Sequence, residues 1–364
     1  MTAFLTAVTM PKWGLTMTEG KVVRWAHTAG ESFGAGDELL EIETTKVANV
    51  VEADGEGTIL RIVAPEGATL PIGALLAVVG PAGTPAAEVE AFVSGFKAPE
   101  PAEIASADAG TPAPQMLDAG GRQLQYLENG AGEPLVLVHG FGGDLNNWMF
   151  VQPALAEKCR TIALDLPGHG GSSKDVGAGD AETLAGAVEA ALDALGIKAA
   201  HLAGHSMGGA IAARVAARRP DLVRALTLIA PAGLGPEING AFISGFVRMQ
   251  RRKDAQETLA QLVHDPALVS RRMIEDVLRY KRLDGVDAAL QTIAHAWFEG
   301  DRQRISIRDQ LASLHIPVQI IWGKDDRIIP ASHAQGLPDA HILEAAGHLP
   351  HLEKASDILR LMKT

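Results

Sequence analysis

Six residues of the N-terminal region recur at a constant spacing of 37 positions: Glu19-Gly20, Arg24, Gly30, Gly36 and Leu39 return as Glu56-Gly57, Arg61, Gly67, Gly73 and Leu76. A unit this short, cut by glycine every few residues, leaves no room for a strand–helix–strand crossover. The apolar runs within it, KVVRWA, ELLEIE, TILRIV and ALLAVV, have the length and composition of strands. The repeat predicts a small all-β domain over residues 1–82, built from two quasi-equivalent halves packed as a sandwich or flattened barrel.

Residues 98–115 read APEPAEIASADAGTPAPQ, a segment with little to bury. Alanine and proline at this density predict an extended, semi-rigid linker, able to separate its flanks by about 55 Å at roughly 3.1 Å per residue. The whole connection is placed at 83–115. Within it, Glu88–Phe96 carries apolar residues at helical spacing and reads either as a short docking helix or as plain linker. Residues 116–364 form the second domain.

Composition narrows the classes. Apolar residues at 47% and charged residues at 21% exclude collagen, coiled coil and wholesale disorder. The formal charge of −12 repels phosphate backbones, so no nucleic-acid partner is expected. Cys159 is the lone cysteine, which excludes an internal disulfide and predicts a buried apolar thiol. No apolar stretch approaches the roughly 20 residues of a membrane span, and Met1–Gly14 lacks the basic and apolar regions of a secretion signal. The expected location is the cytoplasm, with no membrane partner.

Between the two repeat copies lies EIETTKVANVVEA, with Lys46 flanked by Thr45 and Val47. A residue at the junction of two symmetric β units falls on a turn at one end of the sandwich and projects into solvent. MPKWGLTMTEG followed by ETTKV resembles the lipoyl domain of 2-oxoacid-type dehydrogenase complexes over about residues 4–82. That resemblance implies a lipoyl/biotinyl-type sandwich carrying lipoate in amide linkage on Lys46. Biotin carriers share the fold but place Met on both sides of the lysine, so Thr45 and Val47 favour lipoyl. Residues 1–82 carry a net charge of −5, which calls for a docking partner that tolerates acid.

In the second domain, short apolar runs (PLVLVHG, CRTIALDLPGHG, AHLAGHSMGG, ALTLIAPAG, PVQIIWGKDD) alternate with helix-length amphipathic segments, the pattern of an α/β domain whose mostly parallel sheet is covered on both faces. Gly204-His205-Ser206-Met207-Gly208 fits G-x-S-x-G between a strand and a helix, where a tight turn exposes the Ser206 hydroxyl at the helix N-terminus. Upstream, His139-Gly140-Phe141-Gly142-Gly143 follows a strand and offers backbone N–H groups to a developing oxyanion. Downstream come Asp326, after the strand VQIIW, and Gly347-His348. The order Ser206, Asp326, His348 is that of an α/β-hydrolase triad: nucleophile, imidazole-orienting acid and general base. Phe141 and Met207 are the expected oxyanion donors. Asp325 is the alternative acid and His351 the alternative base; His139, His169 and His205 read as loop-holding residues. No zinc spacing or nucleotide-phosphate loop occurs, so no metal is expected.

The segment 116–364 resembles the α/β-hydrolase superfamily, including Asp165–Ser172 (DLPGHGGS), a loop common in its epoxide and carbon–carbon hydrolase branches. About 85 residues of helical pattern between Ala230 and Ile316 predict a cap, about 236–305. Within it, Arg248–Arg282 holds nine basic against five acidic residues and reads as a solvated face or as a docking surface for the acidic lipoyl domain or for coenzyme A phosphates. Trp148, His295 and Trp297 read either as acyl-pocket lining or as core.

A lipoyl carrier linked to a hydrolase-like domain resembles, over nearly the whole chain, the dihydrolipoyl acetyltransferase components of acetoin-cleaving dehydrogenase complexes. The resemblance implies acetyl transfer from lipoyl-Lys46 to coenzyme A through Ser206. It also implies a thiamine-dependent acetoin dehydrogenase and a dihydrolipoyl dehydrogenase as partners, and leaves self-association open. The chain departs from the usual acyltransferases of such complexes: neither an H-x-x-x-D-G motif nor a subunit-binding domain occurs. A serine hydrolase acting on a thioester or a carbon–carbon bond, and a non-catalytic carrier and scaffold, remain the alternatives.

Overall fold

The computed structural model describes residues 5–11, 19–34, 36–43, 48–53, 55–97 and 112–362. The chain forms two compact units, Met1–Thr111 and Pro112–Thr364.

The first unit contains β1 (Thr6–Thr9), β2 (Glu19–Trp25), β3 (Ser32–Phe33), β4 (Glu38–Glu43), β5 (Ala48–Glu52), β6 (Gly57–Ile62), β7 (Thr69–Pro71), β8 (Leu75–Gly80) and α1 (Ala86–Gly95). Two four-stranded sheets have the orders β1-β8-β6-β3 and β5-β4-β2-β7. Each repeat copy pairs its own long strands, β2 with β4 and β6 with β8, and lends its short strand to the other copy, β3 to β6 and β7 to β2. The exchange is symmetric in its hydrogen bonds: Gly30 N–H donates to Ile59 O and, 37 residues on, Gly67 N–H donates to Val22 O, both at 2.7 Å. Gly30, Gly36, Gly67 and Gly73 have φ of 93°, 82°, 84° and 78°, a region costly for any side chain, which is why glycine recurs at the repeat period. Val22, Leu40, Ile42, Ile59 and Leu76 fill the core between the sheets. The register of β4 with β5 ends at Glu43 opposite Ala48. Lys46 lies in the connection between them, outside the described residues.

The stretch expected as linker from residue 83 is in part folded. Helix α1 occupies 86–95, buries Val89 and carries Glu90 in an ion pair with Arg61 of β6. At its far end, Gln115 already belongs to a strand of the second unit; residues 98–111 lie outside the described part.

The second unit is built on an eight-stranded sheet in the order β18-β17-β14-β13-β11-β12-β10-β9. These strands are β9 (Gln115–Ala119), β10 (Arg122–Asn129), β11 (Pro134–Val138), β12 (Arg160–Leu164), β13 (Ala200–His205), β14 (Val223–Ile229), β17 (Val318–Gly323) and β18 (Ala340–Leu343). β9 and β10 are antiparallel additions; the other six run parallel. The run PLVLV has no polar member because both faces are covered: Val136 and Val138 enter one core cluster, Leu135 and Leu137 the other. Helices α2 (Gln152–Ala156), α3 (Ala181–Ala194), α4 (Met207–Arg218), α9 (Arg308–Ser313), α10 (Pro350–Glu353) and α11 (Ala355–Leu361) belong to this framework.

Between β14 and β17 the chain forms the cap: α5 (Gly240–Arg248), α6 (Arg252–Leu259), α7 (Arg271–Lys281), α8 (Val286–Trp297) and a hairpin of β15 (Phe298–Glu299) and β16 (Arg302–Gln303). Side-chain caps start two of these helices. Asn239 accepts from Phe242 N–H at α5, and Ser270 from Met273 N–H at α7. Among the described residues no helix is long and apolar enough to cross a membrane.

Candidate active site

Ser206 is the single residue between β13 and α4, at φ 51° and ψ −119°. This conformation is strained for a residue with a Cβ. Its backbone is held from three sides: its N–H donates to Ile229 O at 2.9 Å, and its carbonyl accepts from Gly209 N–H and Ala232 N–H, each at 3.0 Å. The glycines of the motif are required by space. A Cβ at Gly204 would lie 2.4 Å from Gly208 O, and one at Gly208 would lie 2.3 Å from Val138 O. Close packing of strand against helix thus forces the turn and lifts Ser206, 8% exposed, to the N-terminus of α4.

Asp326 and His348 meet each other. His348 Nδ1 lies 2.7 Å from Asp326 Oδ2, both side chains being almost wholly buried. Asp326 is pinned by three further donors: Trp322 Nε1 to Oδ2 at 2.9 Å, and the N–H groups of Ile328 and Ile329 to Oδ1 at 2.8 and 2.9 Å. A carboxylate so fixed orients the imidazole with its proton on Nδ1, which leaves Nε2 of the neutral ring as an acceptor. The structure shows the His348–Asp326 pair, and among the described residues no hydrogen bond joins Ser206 Oγ to Nε2 of His348. Catalytic hydrogen bonds often tighten only around substrate.

Neither Phe141 N–H nor Met207 N–H, the expected oxyanion donors, is paired among the described residues. The loop carrying Phe141 is fixed by buried histidines. His139 donates from Nδ1 to Gly140 O at 2.8 Å and accepts Leu166 N–H at Nε2 at 3.0 Å. His169 accepts Gly142 N–H at 3.1 Å. Burial holds the His139 imidazole down at about 4, so it is a neutral acceptor at ordinary pH. Asp165 ties the same loops, accepting Leu145 N–H at 2.7 Å and Gly171 N–H at 2.8 Å; burial pushes its carboxyl up to about 7. His205 donates from Nε2 to His348 O at 2.8 Å and so braces the triad loop.

Other expectations are corrected or sharpened. Asp325 turns away from the triad to pair with His264 Nδ1 at 2.9 Å, and is not the acid that meets His348. His351 is fully buried, 4.9 Å from Trp148 between ring centroids, and burial pushes it down to about 3; it is His348, not His351, that meets Asp326. Trp148 and Trp297 are core residues, the latter donating to Gly179 O, and His295 is exposed. The aromatic wall beside the oxyanion loop comes instead from Phe246 and Phe298 of the cap, whose rings stand 5.8 and 5.9 Å from Phe141. Those two, and Trp322, were passed over in the sequence because nothing local marks an aromatic residue that meets the site from a distant element. Of the nine cap cations, Arg252, Lys253, Arg271, Arg272, Arg279 and Lys281 pair with cap carboxylates, which favours a self-neutralised helical face over a docking surface. Cys159 is buried, as expected.

Comparison with known proteins agrees with the two halves of this architecture. Residues 133–355 match the alpha/beta hydrolase fold family and residues 6–79 the family described as biotin-requiring enzyme. A meta-cleavage product hydrolase from Pseudomonas fluorescens shares the fold of the second unit, with a TM-score of 0.62 and 23% identity over 68% of this chain and 95% of that one. The dihydrolipoyllysine-residue acetyltransferase component of the acetoin cleaving system of Pseudomonas putida is 50% identical, across 98% of this chain and 96% of that protein. Its counterpart in Cupriavidus necator is 41% identical over the same shares. The chain therefore belongs to the family of dihydrolipoyllysine-residue acetyltransferase components of acetoin-cleaving systems, with a biotin/lipoyl-type unit ahead of an alpha/beta-hydrolase unit.

Proposed function

We propose that the second unit moves an acetyl group from a thioester on the carrier unit to coenzyme A by way of Ser206. Lys46 is the residue that would hold lipoate, and the β4–β5 pair on either side of it supports that reading, because it ends at Glu43 and Ala48 and leaves the lysine between two strand ends. Bound there, lipoate supplies a dithiol that carries the acyl group as a thioester.

The chain's own residues do the rest. Ser206 Oγ attacks the thioester carbonyl carbon while His348 Nε2 accepts its proton, and Asp326 stabilises the imidazolium. The N–H groups of Phe141 and Met207 stabilise the oxyanion, a donor of this kind being worth about 3 kcal/mol. The carbon–sulfur bond breaks and His348 returns the proton to the departing thiolate, leaving acetyl-Ser206. The coenzyme A thiol then gives its proton to His348 and attacks, and the serine leaves with that proton. The proposal extends to a complex containing a thiamine-dependent acetoin dehydrogenase and a dihydrolipoyl dehydrogenase.

The observation that supports this reading is the strained Ser206 at a helix N-terminus in a chain whose His348 imidazole is held by Asp326, the two loops being joined by the bond from His205 Nε2 to His348 O. Acetyl-dihydrolipoamide supplied with and without coenzyme A tests it. Acetyl-coenzyme A formed only while Ser206 is intact supports transfer; free acetate formed equally in both conditions makes the protein a hydrolase; and transfer undiminished in Ser206→Ala removes the serine from the path.

A further inference from the structure

The triad histidine is connected to the cap through a residue outside the triad. Glu353, half-buried at the end of α10, accepts two backbone N–H groups with one carboxylate: Gly347 N–H on Oε1 at 2.7 Å and His264 N–H on Oε2 at 2.6 Å. Gly347 immediately precedes His348, and His264 belongs to the cap segment that follows α6. The same segment receives His348 directly, since His348 N–H donates to Leu262 O at 2.8 Å. The fit leaves no slack: a Cβ on Gly347 would lie 2.8 Å from Leu262 O and 2.9 Å from His264 N. A third strut runs from the cap to the acid loop, where His264 Nδ1 meets Asp325 Oδ2 at 2.9 Å.

We infer that Glu353 is a positioning residue for the reaction proposed above, setting the catalytic imidazole of His348 and the cap in one register by gripping the backbone on both sides of their junction. Two charge-assisted hydrogen bonds to a single carboxylate fix both segments relative to α10. Only a carboxylate does this. Glutamine of the same shape presents one acceptor and one NH₂ group, so one of the two N–H donors faces another donor and the junction must open. His348 then keeps Asp326 and its own N–H bond to Leu262 O, but loses the Glu353 grip on the preceding residue that fixes how its backbone presents the ring. The inference rests on Ser206–His348 chemistry, and its test separates the two.

Full-length protein is assayed for acetylation by p-nitrophenyl acetate as wild type, Glu353→Gln and Ser206→Ala. The expected result for Glu353→Gln is a kcat lowered about tenfold to a hundredfold, the scale of a misplaced catalytic group, with KM within about twofold. The low-field proton resonance of the His348–Asp326 hydrogen bond should broaden or shift in the same variant. Should Glu353→Gln fail to fold, Glu353→Asp, which keeps the charge but reaches only one of the two N–H groups, is measured in the same way. A wild-type kcat, or a lowered melting temperature with kcat and the resonance unchanged, overturns the inference and leaves Glu353 a structural residue. Full activity in Ser206→Ala overturns the underlying serine mechanism instead.

Discussion

Replacing Asp326 with Asn tests the triad at its best-defined joint. The carboxylate accepts four hydrogen bonds, from His348 Nδ1 and Trp322 Nε1 on Oδ2 and from two backbone N–H groups on Oδ1. An Asn oxygen takes the two backbone donors, which cannot move, and its NH₂ group then faces His348 and Trp322. Trp322 Nε1 keeps its second acceptor, Ile329 O at 3.1 Å, so the stability cost is that of one weakened buried hydrogen bond, about 1–2 kcal/mol. The rate cost is larger. Facing a donor, His348 must accept at Nδ1 and carry its proton on Nε2, the tautomer that cannot take a proton from Ser206. The same error in a serine triad lowers kcat on the order of 10⁴-fold, about 5.5 kcal/mol of barrier. Asp325→Asn, by contrast, breaks only a half-exposed pair with His264, worth about 0–1 kcal/mol, and should change acetylation less than about threefold. Stopped-flow acetylation, with intact mass to count acetyl-enzyme and calorimetry for stability, reads both variants. If Asp326→Asn stays within tenfold of wild type, or Asp325→Asn matches it, the tautomer argument is wrong.

Three further outcomes follow from named contacts. Ser206→Gly should raise the melting temperature while abolishing acetylation, because glycine relieves the strain at φ 51°; a lower melting temperature would mean that the elbow is not strained. His351 sits neutral with both ring nitrogens unpartnered, and its folded-state value of about 3 lies below the unfolded one near 6.5. The unfolded chain therefore binds the extra proton between those values, and stability falls as pH drops through that window. His351→Phe should remove a share of about 2 kcal/mol at pH 5 and none at pH 8, and equal unfolding free-energy differences at the two pH values would refute this. Lys46→Arg, made in a host that attaches lipoate, should lose the lipoyl mass increment and all transfer within the assembled complex, while esterase turnover by the second unit continues unchanged.

The sequence alone determined the features whose causes are local or periodic. The 37-residue spacing implied two quasi-equivalent β halves, and glycines recur at that spacing because the same turns recur: Gly30, Gly36, Gly67 and Gly73 all lie at positive φ; that the halves exchange their short strands was decided by the tertiary structure. The elbow at Ser206 was legible because small residues at 204 and 208 are what a strand-to-helix reversal demands. Tertiary structure decided everything that depends on where a side chain points after the chain has returned from far away. It separated Asp326 from Asp325, neighbours in sequence whose carboxylates face the triad and the cap respectively. It buried Trp148 and Trp297 and brought Phe246 and Phe298 to Phe141 in their place. It also joined Glu353 to His264 across 89 positions. Turn chemistry is written in neighbouring residues, whereas the partner of a buried polar group is chosen by the packing of whole elements, and no short window of sequence records that choice.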